Sequence, residues 1–281
     1  MDAVVLALAS AALFGAMTVA LRFALAREPD AEAGALHTIA AALLVTLPFA
    51  LAGELDLGDT WPFLLAGVLG PGASQLLFTL AVRDAGPSRT SVTVGTAPLF
   101  SVAIALALLG EPAKAGVIAG AILIVTGGVL LVRESRRPEH VKWIGLGFAL
   151  GATIVFAVRD NLVRHLSLST EVEPALAAAA TLLAGGTTVA AWLLATRRRL
   201  PSGGFRAFVP AGALFGLSYL CLFEAYYRGR VSIVSPLVAT ESLWGVGVSA
   251  LLLRRHELVG PRLVGGAALV VAGGVLIGVF R

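Results

Sequence analysis

The chain has 281 residues, of which 58% are apolar and only 14% are charged, against about 25% charged in an ordinary soluble domain. That balance excludes a soluble globular protein. A membrane helix uses about 20 apolar residues, so ten spans would take about 200 residues and leave no room for a separate soluble domain.

The basic excess, 21 Lys and Arg against 17 Asp and Glu, does not indicate nucleic acid, because the basic residues fall between apolar runs instead of on one polar face. They read as orientation signals, and the lipid bilayer is the partner they imply. A single cysteine, Cys221, excludes an internal disulfide and a cysteine-rich metal site.

Apolar runs bounded by charge, proline and glycine predict an all-α integral membrane protein with ten transmembrane helices. The first half holds Ala3 to Ala26, Ala33 to Ala52, Trp61 to Arg83, Ser88 to Leu109 and Ala113 to Val132. The second half holds Val141 to Arg164, Pro174 to Thr196, Ala207 to Tyr227, Val231 to Leu253 and Leu258 to Phe280. The start, Met1-Asp2-Ala3-Val4, lacks the basic stretch of a cleaved signal peptide, so the first run is expected to be a mature helix.

The two halves match in register. Gly120 to Leu130 aligns with Gly266 to Leu276 at an offset of 146, with eight of eleven positions identical. Glu111 meets Glu257 at the same offset, Ser74 meets Ser218 at 144, and Phe14 to Arg22 meets Phe156 to Arg164 at 142. A duplication predicts repeats at 1–132 and 141–281 joined by a linker at 133–140. With five spans each, the second repeat is upside down relative to the first, an architecture of secondary transporters whose sites lie at the repeat interface. Lysine and arginine count fifteen in the connections after the odd-numbered spans and five on the opposite side, which places both termini outside.

A charge within a span is read first for a partner at helical spacing, since an i,i+4 pair is a structural device. Asp160 with Arg164 and Glu224 with Arg228 meet that spacing; both acids are also candidates for a substrate or proton pathway. Glu241 lies mid-span with Leu237, Val238, Trp244 and Gly245 as its helical neighbours, and so has no partner on its own helix. An unpaired carboxylate in lipid costs several kcal/mol. It must face a cavity, a cation from another helix or a proton, and burial favours the protonated form that a proton carrier uses. The alternative is a structural carboxyl bonded to a neighbouring helix. Arg159, among Val155, Phe156, Leu162 and Val163, either meets Glu241, Glu224 or an anionic substrate group as a fixed charge, or snorkels to the surface.

Ser74 and Gln75 on the third span match Ser218 and Tyr219 on the eighth. With Thr79, Thr93, Thr96, Tyr226, Ser235 and Trp244 they are candidates for a cavity with hydrogen-bonding and aromatic surface. Serine and threonine also bond their own helix backbone, which is the structural alternative. His37 reads as a packing residue. Glycine pairs such as Gly116 with Gly120 read as helix contacts, and Pro98 and Pro236 as kinks. No phosphate-binding glycine loop, HExxH motif or GxSxG elbow occurs, so no cofactor or metal is expected and neither is enzyme activity.

The Gly86-Pro87-Ser88-Arg89 turn, the Pro98 helix running into Leu109-Gly110-Glu111 and the glycine-rich fifth span, all echoed in the second half, resemble an EamA-type member of the drug/metabolite transporter superfamily. The resemblance implies two inverted five-helix repeats, a central cavity lined by helices one, three, four, six, eight and nine, and export or exchange of small metabolites such as amino acids. Arg255-His256-Glu257 departs from Leu109-Gly110-Glu111, and the resemblance implies cytoplasmic termini where the charge count implies external ones. The expectation is a secondary active transporter of a small metabolite working by alternating access, coupled to protons or counter-substrate. The alternatives are an uncoupled facilitator and a non-transport membrane subunit.

Overall fold

A computed structural model of the chain describes residues 2–100, 114–132, 142–196, 203–229, 231–253 and 260–280. These include eleven helices: α1 Ala3–Arg27, α2 Ala31–Ala52, α3 Trp61–Ala85, α4 Pro87–Val94, α5 Ala115–Val132, α6 Trp143–Ser167, α7 Pro174–Ala195, α8 Phe205–Arg228, α9 Val231–Val238, α10 Glu241–Leu252 and α11 Pro261–Phe280, with a further helical stretch at 97–100. No strand occurs among the described residues. Eight spans are long and apolar enough to cross a membrane, α9 and α10 counting together, and a shorter apolar helix covers Ala115–Leu130. The expected fourth span lies partly outside the described residues, as do the linker at 133–140, Glu111 and Glu257. α6 runs beyond its expected end at Arg164 to Ser167.

Helix starts follow local chemistry. The Asp30 carboxylate accepts from the backbone N–H groups of Glu32 and Ala33 at 3.1 and 3.2 Å, which satisfies two of the unpaired donors at the head of α2. Pro87 and Pro174 open α4 and α7, where a missing N–H costs nothing. Gly86 joins α3 to α4 at φ 84°, a conformation that glycine adopts without a Cβ clash.

Three helices are broken. α3 passes through a π-helical segment, Val68–Ala73, in which Gly70 leaves helical geometry at φ −140° and ψ 115°. The other two breaks match across the repeats. α4 ends at Val94 and α9 at Val238, each followed by a two-residue turn. Gly95 N–H donates to Ser91 O at 2.9 Å and Ala239 N–H to Ser235 O at 3.0 Å. Thr96 Oγ1 donates to Thr93 O and Thr240 Oγ1 to Leu237 O, both at 2.6 Å. Every pair is 144 positions apart, so the duplication extends to irregular backbone.

The halves interlock. α1 and α2 pack on α8, while α6 and α7 pack on α3, so the first two helices of each half cover the third helix of the other. The last helices, α5 and α11, pack on each other. A Cβ on Gly120 would lie 2.6 Å from the Gly273 carbonyl, and one on Gly127 would lie 2.6 Å from that of Gly266. The partner number falls as the first rises, so α5 and α11 run antiparallel. The 146 offset turns the first contact into the second. Outward faces carry exposed Leu47, Phe49, Leu51, Leu183 and Trp192, while Thr18, Thr38, Gln75 and Ser242 are buried, the arrangement of a bundle surrounded by lipid.

Candidate functional site

α6 turns two consecutive charges inward. Arg159 and Asp160 are 4% and 7% exposed, and Arg159 Nε contacts Asp160 Oδ1 at 2.7 Å. Arg159 Nη1 donates to the Tyr219 hydroxyl on α8. The guanidinium carbon stands 5.3 Å from the Phe156 ring centre and 5.1 Å from that of Tyr219, within cation–π range. Asp160 therefore pairs with Arg159 and not, as its spacing suggested, with Arg164. Arg164 is half-buried and donates from Nη1 to the Tyr226 carbonyl at 2.6 Å. The deeply buried guanidinium has the greater need of a counter-ion, because its desolvation penalty is larger.

Glu241 is the first residue of α10, directly after the break that ends α9, and is 4% exposed. A carboxylate there meets the positive end of the helix dipole. Glu241 makes no hydrogen bond or ion pair among the described residues, and its side chain lines a cavity together with Arg159, Asp160, Ser218 and Tyr219. α1 contributes Ser10 and Phe14, and Ala97 follows the break after α4. Ser10 and Ser218 hydroxyls are 3.0 Å apart, and Ser218 Oγ also donates to the Ser10 carbonyl at 3.0 Å. The cavity measures about 40 Å³, room for about three waters.

At one end of this cavity, where Phe14 and Phe156 line it, Phe14, Phe78, Phe156 and Phe215 form a cluster of edge-on rings with centres 5.1 to 6.2 Å apart. Phe14 and Phe156 are equivalent positions at the 142 offset and meet each other at 6.0 Å. All four lie one turn from Ser10, Arg159, Ser218 or Ser74 on the same side, toward the ends of α1 and α3.

Six of the expected residues come together: Glu241, Arg159, Asp160, Ser218, Tyr219 and Ser235. The rest do not line this cavity. Glu224 binds Arg228 at 2.6 Å in a partly exposed i,i+4 pair, its structural reading. Trp244 is 48% exposed, because α10 turns Ser242, Gly245 and Ser249 inward and leaves Trp244 on the membrane side. Thr96 is spent on the α4 break and lines a separate apolar cavity of about 400 Å³ with Thr93, Val125 and Leu150.

Ser74 and Gln75 are fully buried, and Ser74 Oγ and both amide atoms of Gln75 have no hydrogen-bond partner among the described residues. A Cβ on Gly70 would lie 3.0 Å from Arg159 Cγ and 3.1 Å from Ser74 Oγ. The break in α3 thus lets its backbone approach the stem of Arg159, with Ser74 beside it. His37 packs against the rings of Phe205 and Phe208.

Ser10, Gly70 and Ala97 were not anticipated. Gly70-Pro71-Gly72 is a visible breaker signal within a span, whereas Ser10 is one hydroxyl in an alanine-rich run and carries no signal of its own. Close approach also brings α1 onto α10 at Gly15, where a Cβ would lie 2.7 Å from Gly245 N and 3.0 Å from Glu241 O.

Among solved structures 26 chains are similar. One, described as "Crystal structure of protein", superposes with a TM-score of 0.62 over 95% of this chain and 96% of that one at 21% identity, which establishes a shared fold. No curated protein matches the sequence. The family model described as "EamA-like transporter family" matches residues 1–133 and again 143–279. Two copies of that family's unit therefore account for nearly the whole membrane-embedded chain, and the protein belongs to the EamA-like transporter family, whose members carry small solutes across membranes.

Proposed function

We propose that the protein is a secondary active transporter, an exporter or exchanger of a small metabolite such as an amino acid, working by alternating access. The observation that carries this reading is the small, charged cavity where both halves meet, lined by Glu241, Arg159 and Asp160. At about 40 Å³ it is too small for a metabolite, so solute entry requires the halves to move apart. The helix breaks beside Ala97, Glu241 and Arg159 provide places to bend. Ser74 and Gln75, buried without partners, are groups that gain hydrogen bonds when the cavity enlarges toward α3.

The architecture proposed is ten spans in two inverted repeats, 1–132 and 141–281, with a linker at 133–140. The antiparallel α5–α11 pair and the matched breaks support it. The count of basic residues supports external termini.

The test compares intracellular and extracellular metabolites in cells expressing wild type, Glu241→Gln or no protein, with membrane levels matched. A metabolite class shifted by wild type and not by Glu241→Gln is the expected result. An equal shift with both retains transport and removes Glu241 from it. No shift in any class favours the non-transport subunit.

A further inference from the structure

Taking the transport reading as premise, we infer that the solute of this cavity is a small organic ammonium ion, which exchanges with one proton on Glu241. The inference starts from a charge inventory. α6 brings Arg159 and Asp160 to the cavity, α8 brings the hydroxyls of Tyr219 and Tyr226 to these groups, and α10 brings Glu241. From α1, α4 and α9 only uncharged side chains reach it. Arg89 on α4 lies two turns away from Ala97, and α11 carries its charge, Arg262, in its first turn.

Arg159 is already committed. Asp160 holds its Nε at 2.7 Å and Tyr219 accepts from its Nη1. A solute carboxylate would add a third acid to a cavity that holds one cation, which low-dielectric surroundings strongly oppose. One cation against two acids leaves a surplus negative charge whenever Glu241 is ionised. The cavity is therefore neutral with either a proton or a monovalent cation at Glu241.

The walls suit the same occupant. Phe156 and Tyr219 already hold a guanidinium at 5.3 and 5.1 Å from their ring centres, so aromatic surface is offered to positive charge here. Ser10 and Ser218 add hydroxyl oxygens that can accept N–H donors.

The exchange balances. An R–NH3⁺ ion meets the Glu241 carboxylic acid, the O–H bond breaks, the proton leaves to water, and the carboxylate accepts the ammonium N–H groups. One positive charge enters as one leaves, so the cycle is driven by a pH gradient and not by the membrane potential. Because proton and ammonium compete for one group, apparent ammonium affinity weakens about tenfold per pH unit on the acid side of the Glu241 transition and is constant above it.

The experiment uses the full chain purified in detergent, in weak buffer with a pH-indicating dye, and adds methylammonium, ethylammonium or sodium acetate. Wild type and Glu241→Asp are expected to release about one proton per chain with either ammonium salt and none with acetate, on the competition argument above. Glu241→Gln, verified as folded by its elution profile and melting curve, is expected to release none. Absence of release from wild type with both ammonium probes overturns the inference, as does equal release from Glu241→Gln, or thermal stabilisation by acetate alone. Flux in proteoliposomes separates the two readings. Proton release without methylammonium flux refutes transport and keeps the cation site, whereas flux of an anionic or neutral solute without release refutes the cation site and keeps transport.

Discussion

Ala97 and Glu241 stand 144 positions apart, each the first helical residue after the same two-residue break, and both line one cavity. The duplicated backbone thus offers two equivalent places for a carboxylate, of which one is filled. We predict that Glu241→Ala abolishes ammonium-dependent proton release and that the double variant Glu241→Ala with Ala97→Glu recovers it. The dye measurement decides; a folded double variant that stays silent shows that the two places are not chemically interchangeable.

Asp160→Asn leaves the Arg159 guanidinium buried beside a neutral amide. Removing one partner of a buried ion pair costs about 3–5 kcal/mol, so melting in detergent should fall sharply. Removing both charges together, Arg159→Met with Asp160→Leu, is expected to restore most of that loss while leaving transport dead. A single variant that melts like wild type would mean that the pair contributes nothing to folding.

Matched substitutions in α5 and α11 should have matched effects. Gly120→Val meets the Gly273 carbonyl and its equivalent Gly266→Val meets that of Gly127, with Cβ separations of 2.6 and 2.9 Å. Overpacking of this kind costs about 1–3 kcal/mol. Chemical unfolding of the two variants should give losses within that range and close to each other; a large loss from one alone would contradict the equivalence of the two contacts.

Glu224→Gln breaks only a partly exposed i,i+4 pair with Arg228. Such pairs contribute about 0.3–0.5 kcal/mol, and the residue is outside the cavity. Its melting temperature and solute flux should both stay near wild type, and loss of flux at normal stability would bring Glu224 back into the pathway.

The duplication was legible because glycines in α5 and α11 are fixed by backbone contact, so both copies keep the same pattern. Glu241 was legible because a lone acid between apolar neighbours has no local solution. The partner of Asp160 was not. Spacing pointed to Arg164, and only the depth of Arg159 within the bundle shows which guanidinium needs the charge. The broken helices were half legible: Pro98 and Pro236 flagged the right spans, but the breaks fall at Gly95-Thr96 and Ala239-Thr240, where the threonines take up carbonyls that a turn frees. Trp244 failed for a related reason, since the face that α10 buries depends on where that helix begins.

The four phenylalanine rings at one end of the cavity have an electrical consequence. A carboxyl buried inside a bilayer invites a thread of water along which protons can leak. Rings meeting edge to face at Phe14, Phe78, Phe156 and Phe215 offer only apolar surface of their own to such a thread, as in hydrophobic constrictions that close by dewetting. On that side the cluster therefore opposes the passage of charge.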